Sequence, residues 1–363
     1  MAKIGMNLVA LATEVDRMAR AAQDYVVPAE KLHGGVNAAG EVGLQFEGQF
    51  APMLPHAVGQ IAEWLDVPTA YFRRSVEKKP VLAVAEINAW LDEMAGKSRL
   101  VRLLDRKVRA VMSDGFRIID NWEVLGATLP AIKERNLTII SCNVSDARMY
   151  LKAVDLSQFS DVDLVFGEGH NIFKSDKVAP GIAIGNSEVG MSRLVVETLA
   201  YTQGCTNLAL FGPAIRKTHA GAKLAEGFID VEYDVLSENT KRLTNEAILA
   251  QVKDVVVNSL DPKAFAGRVE QLRKSGDVKI QPKVEVAVQA VAKRYGMGDD
   301  VRESVLRNLI EFGSLTQYGM QAAVTLAAQK VEALSYDAAT ALEQAGGKIA
   351  LMSPEQFAAA VEG

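Results

Sequence analysis

Histidine and cysteine are scarce in this chain, with four and two residues among 363. Cys142 and Cys205 cannot build a disulfide framework, and both lie in apolar, β-prone runs, so the expectation is buried thiols in a reducing compartment. His33, His56, His170 and His219 never pair with another ligand at the spacings of a zinc site. Glu168-Gly169-His170 comes nearest and reads as a surface loop, so no metal centre is expected. A loosely held Mg²⁺ is compatible with the chain, but nothing in it indicates one, and no cofactor is expected. GxxxxGK[ST] is missing, as is GxGxxG after a strand, which disfavours an ATP-driven recombinase or a dinucleotide enzyme. No apolar run approaches the roughly 18 residues of a membrane span, and no cleavage-site pattern follows the N-terminus, which points to a cytoplasmic protein. The net charge of −5 excludes a uniformly basic coat for nucleic acid, though not a local basic groove.

What is present is an ordinary globular composition, 49% apolar and 23% charged. Residues 1–96 read as mostly helical: "HAVGQIAEWLDV" and "VLAVAEINAWLDEMA" carry helical periodicity, punctuated by Pro68 and Pro80. The basic connector between them, with Arg73, Arg74, Lys78 and Lys79, reads as a solvated face. From residue 97 the pattern turns to hairpins. "SRLVRLLDRKVRAVMSD" bends at Asp105-Arg106-Lys107. A helix follows with Asn121 as its expected cap, then a second hairpin turning near "NVSDA". A third is "GIAIGNSEVGMSRLVVETLAYTQGCTN", where Asn186, Ser187 and Glu188 are expected to shape a tight turn, with Gly185 and Gly190 supplying positive φ. Beyond Pro213, taken as a first helical residue, helical patterns dominate, and Gly346-Gly347 is taken as a helix stop. The predicted fold is α+β: a central antiparallel sheet of hairpins with a packed helix over 97–212, flanked by helical regions at 1–96 and 213–363.

Two chemistries compete on these residues. Cys205 followed by His219, with Arg216 and Lys217 between them, is a possible nucleophile and base, although a core thiol and a surface imidazole explain the same residues. Ser187 is not a nucleophile elbow, because strands flank it on both sides. The broader signal is basic. Arg102, Arg106, Lys107, Arg109 and Arg117 crowd the first hairpin together with Arg99, and alternation along a strand puts some of them on one face. Arg216 and Lys217, with Lys223, mark an expected helix start that favours anions. Lys241 and Arg242 form a third patch. Phe116, Trp122 and Tyr150 are available to stack bases.

Several stretches in a fixed order, "HAVGQIAEWLDVPTAYFRR", "RAVMSDGFRIIDNWEVL", "GIAIGNSEVGMSRLVV", "CTN" and "KTHAG" among them, resemble the phage- and plasmid-encoded domain family of unknown function 932. The resemblance runs over residues 25–345. It implies a mobile-element protein in a bacterial cytoplasm and no known reaction. By fold analogy, hairpins with local basic patches also look like the single-strand annealing proteins of the RecT and Red-beta type. The resulting expectation is a non-enzymatic homo-oligomer that binds or anneals single-stranded DNA in recombination, without ATP. Its phosphate contacts would be Arg102, Arg106, Lys107, Arg109, Arg117, Arg216 and Lys217. The alternatives are an anti-defence factor that binds a host protein, and an enzyme using Cys205 and His219.

Overall fold

Asn7 caps the first helix, its side-chain oxygen accepting from the Ala10 amide, and Leu11, Val15 and Met18 recur at helical spacing on its buried side. This helix, α1 (Leu8–Ala21), passes directly into β1 (Ala22–Pro28). The computed structural model describes residues 5–162, 176–203, 207–217, 236–258, 260–331 and 334–362. Within them the chain is an α+β fold with twelve α-helices and three antiparallel sheets.

The first sheet has the order β1-β5-β6. β5 (Ser98–Leu104) and β6 (Lys107–Ser113) form the expected hairpin, turning through Asp105 and Arg106, both at positive φ as a tight two-residue turn requires. This hairpin does not join the main sheet. It pairs with β1, from Ala22 opposite Leu104 to Pro28 opposite Ser98. A second small sheet, β2 (His33–Val36), β3 (Val42–Phe46) and β4 (Gln49–Pro52), lies in the stretch expected to be mostly helical. These strands are short, and β2 and β3 carry glycine, so they show little period-two alternation. Three helices follow: α2 (Pro55–Trp64), α3 (Thr69–Lys78) and α4 (Pro80–Leu91). Leu44, Ile61, Phe72, Ile87, Val101 and Val108 join both small sheets and these helices in one core.

Next comes α5 (Asn121–Glu134). Asp120, not Asn121, is its cap, in a reciprocal box with Glu123; Asn121 is buried for another purpose. The main sheet contains β7 (Thr138–Val144), β8 (Met149–Val154), β9 (Ser160–Val162), β10 (Asp176–Asn186), β11 (Leu194–Thr202) and β12 (Asn207–Lys217). Its order is β12-β11-β10-β8-β7, with β9 paired to β10. Pro213 to Lys217 therefore extend an edge strand; they do not begin a helix. An edge position tolerates proline, which cannot donate to a ladder.

Among the described residues after β12 there are seven helices: α6 (Glu238–Asn258), α7 (Pro262–Ser275), α8 (Val284–Arg294), α9 (Asp299–Phe312), α10 (Gln317–Lys330), α11 (Tyr336–Ala350) and α12 (Pro354–Glu362). One face of the main sheet packs Leu151, Ile182, Ile184 and Val196 against α1, α5 and α6. The other face meets α11, which runs without interruption through Gly346 and Gly347. A Cβ on Gly347 would overlap the Leu210 carbonyl of β12, and one on Gly346 would overlap Thr325 of α10. These glycines serve close helix–sheet and helix–helix approach; they are not a stop signal. Helices cover both faces of the sheet, so its strands are buried on both sides, and the polar Lys152 and Glu197 find partners on α11.

A buried ionic hub and a candidate nucleic-acid cleft

The hub begins with the turn between β10 and β11. Asn186, Ser187 and Glu188, expected to be simple turn residues, are 0%, 0% and 6% exposed. The Glu188 carboxylate accepts from Arg109 Nη2 at 2.5 Å and from the Asn121 amide at 2.6 Å. Its backbone carbonyl accepts from Arg102 Nη1 at 2.8 Å. Asn186 Nδ2 donates to the Ile119 carbonyl at 3.0 Å and to Asn121 Oδ1 at 2.9 Å. The "SDGFRIIDN" and "GNSEVG" stretches, which are far apart in sequence, are thus bonded to one another. Gly190 has φ +77°, but Gly185 is an ordinary strand residue of β10.

Arg102 and Arg109 are 1% and 2% exposed, which corrects their assignment as phosphate contacts. Arg102 grips Asp24 and Asp120, each at 2.8 Å. Burial works against its positive charge, yet Asp120 and Asp24 overcome this and raise its pKa. Arg109 also donates to the Asp146 carbonyl at 3.1 Å. Arg117 is 9% exposed and likewise does not face solvent. Arg106 and Lys107 are exposed, but at the hairpin tip, where Asp105 beside them pairs with Arg17 at 2.8 Å. Arg216 and Lys217 stand on β12 opposite Val195 and Leu194, so no helix dipole acts at that point. With Arg102, Arg109 and Arg117 withdrawn from solvent, the contacts predicted on the first hairpin do not form one surface. Cys205, His219, His170 and Lys223 lie outside the described residues.

The hub does position a different site. Val189, next to Glu188, has its carbonyl bonded by Gln60 Nε2 at 2.9 Å, and His56 Nε2 lies 2.9 Å from the same oxygen. Both residues come from α2. Burial holds the His56 imidazole below its ordinary pKa, more than the Val189 carbonyl raises it. Ser187 Oγ donates to the Ala147 carbonyl at 2.7 Å and accepts from the Met191 amide at 3.0 Å; Arg148 Nη2 donates to the Met191 carbonyl at 3.1 Å. The loop that continues through Met191, Ser192 and Arg193 is therefore held on several sides. It walls a cleft of about 680 Å³ together with Gln60, Trp64, Arg99 and Phe116. Glu63 is its one lining carboxylate, against the guanidiniums of Arg99 and Arg193. Arg99 lies over the Trp64 ring, 4.6 Å from its centroid. Burial lowers the Arg99 pKa, opposed by Asp114, but a guanidinium stays charged throughout the physiological range.

A second cleft, about 610 Å³, lies across Phe116. It is acidic: Asp24, Asp114, Asp120, Glu123, Glu238 and Glu246 outnumber Lys241 and Arg242. Both cations are engaged there, Lys241 with Glu238 and Arg242 with Glu246. Trp122, 54% exposed, lines this acidic cleft, and Tyr150 lies 5.5 Å from Tyr336, away from both clefts. Of the predicted stacking residues, only Phe116 reaches the basic cleft. Sequence reading named Arg99 only as a neighbour of the candidate contacts and did not reach Trp64, Gln60 or Arg193. The one local signal for Arg193 was its place just after "GNSEVG".

Among the described residues no group of three histidine, cysteine or acidic side chains is placed to hold a metal ion. No described helix is long and apolar enough to cross a membrane. No family model, curated protein or solved structure matches the chain.

Proposed function

We propose that the chain is a mobile-element protein that binds single-stranded DNA without ATP, in the service of strand annealing, and that the strand enters the basic cleft. The observation that carries this reading is the side-by-side placement of Arg99 and Arg193 with Trp64 and Phe116. Guanidiniums for phosphate and aromatic faces for bases are the two elements a single-strand binder needs. The cleft is open at the surface, which suits a polymer. The buried arginines of the hub support the cleft wall through Glu188 and do not touch the strand. Labelled oligonucleotide titrated at low and moderate salt tests the reading. Binding should weaken with salt and fall at least tenfold in the Arg99→Ala/Arg193→Ala variant, since each charged contact contributes on the order of 1 kcal/mol. Absence of binding at low salt would sink it.

A second reading, an anti-defence factor that binds a host protein, is favoured by the acidic cleft with exposed Trp122. There Glu238→Lys/Glu246→Lys would abolish capture of a basic host protein and leave oligonucleotide binding intact.

A further inference from the structure

α4 reads PVLAVAEINAWL, with Glu86 and Asn88 its only polar residues. A helix that is apolar on every side is ordinarily buried on every side. Only one side of α4 is: Ala83, Ile87 and Leu91 enter the core. On the outer side Val81 is 73% exposed, Leu82 46% and Trp90 47%, with Ala85 and Ala89 also exposed between them. An isolated exposed leucine needs no explanation, but an apolar stripe along a whole helix does.

The ends of the stripe say what covers it. Exposed Lys78 and Lys79 precede it, and exposed Asp92 and Glu93 follow it. None of these four forms an ion pair within the chain among the described residues. The pattern is also symmetric about a point between Ala85 and Glu86. Laid antiparallel on a second copy about that point, the helix sets its lysine end against the partner's carboxylate end and Leu82 against Ala89, while Val81 and Trp90, a half-turn apart around the helix, flank the contact on opposite sides. At the centre stands Ala85, small enough for two backbones to approach closely, while Glu86 is held by the Tyr71 hydroxyl of its own chain at 2.7 Å. We infer that this face binds a second copy of the same chain, with α4 antiparallel to α4 of the partner about a two-fold axis beside Ala85. Such an interface is isologous: the same patch serves both sides and closes on itself. The apolar stripe supplies the attraction, and the lysine and carboxylate ends set the direction of pairing. The inference stands on α4 alone, and does not depend on the nucleic-acid reading.

Sedimentation velocity over a concentration series measures the association directly. The wild-type chain should pass from monomer to dimer with rising concentration. Lys78→Glu/Lys79→Glu should weaken the dimer about tenfold, because like charges then face one another at both ends of the symmetric pair, at a few tenths of a kcal/mol per contact. Adding Asp92→Lys/Glu93→Lys to that variant should restore it, since the reversed ends again complement each other. Ala85→Cys should cross-link two copies on mild oxidation while the wild-type chain under the same oxidant does not. All these positions are exposed, so folding is preserved, and circular dichroism verifies it. A monomer at every concentration overturns the inference. So does a dimer that is indifferent to Trp90→Ala, or a four-fold charge reversal that fails to restore association.

Discussion

The arginines of the first hairpin show how little a residue type says about its task. Arg102 and Arg109 sit in strands whose other inward residues are apolar, and each would be costly to bury alone. Asp24, Asp120 and Glu188 meet them, and those partners come from three separate parts of the chain. Removing one partner leaves an uncompensated buried charge, so Glu188→Ala should lower unfolding free energy in urea by about 3–5 kcal/mol. Adding Arg109→Met to that variant should recover part of the loss, because no charge then remains stranded. His56 permits a pH prediction. Its folded-state pKa lies below the ordinary value, so the folded protein resists a proton that the unfolded chain accepts. Its contribution is therefore fully present above the unfolded pKa of about 6.5 and is lost as pH falls below that toward the lowered value. His56→Gln keeps a donor for the Val189 carbonyl and should flatten the stability curve between about pH 7 and pH 5. An unchanged curve would remove this role.

Among the elements, α11 shows local preference and packing in opposition. Gly346-Gly347 would ordinarily weaken a helix interior by about 1 kcal/mol per residue relative to alanine. Here the backbone of α11 lies so close to β12 that no side chain fits at Gly347. Gly347→Ala should therefore destabilise the protein by about 1–3 kcal/mol despite its better helix propensity, as overpacking does. Thermal melting of this variant decides the sign. The same interface buries an ion pair, Lys152 with Glu343 at 2.5 Å, beside Thr340 and the Tyr336 ring. Burial would lower the Lys152 pKa, but Glu343 and the Tyr336 neighbourhood raise it above its ordinary value. The pair orients α11 on the sheet through charges that only meet when the helix has docked.

At the level of the whole molecule, the acidic total and the basic cleft act together. On the proposed function, a net charge of −5 would discourage indiscriminate adhesion to nucleic acid, while Arg99 and Arg193 would keep the cleft positive. If both contact phosphate, log K should fall with log salt at a slope of about −1.4, near 0.7 per single-strand contact. A slope near zero would place the interaction elsewhere. The hairpins at 98–113, 138–154 and 176–202 were legible in sequence because turn residues and strand propensity act over a few neighbours. The separation of the first hairpin from the main sheet was not, because β1, its true partner, lies some 70 residues earlier and alternates poorly.

The amino-acid sequence by itself determined the α+β class, the helical C-terminal half, the hairpin turns and the scarcity of metal and nucleotide motifs, since each rests on local spacing or composition. Only the tertiary structure decided which arginines are free. Charge is visible in sequence, but burial is set by what the chain brings alongside from elsewhere. That contact made Glu188, a turn residue as expected, the centre of the hub as well, and moved the candidate cleft from the hairpin's buried cations to Arg99, Arg193, Trp64 and Phe116.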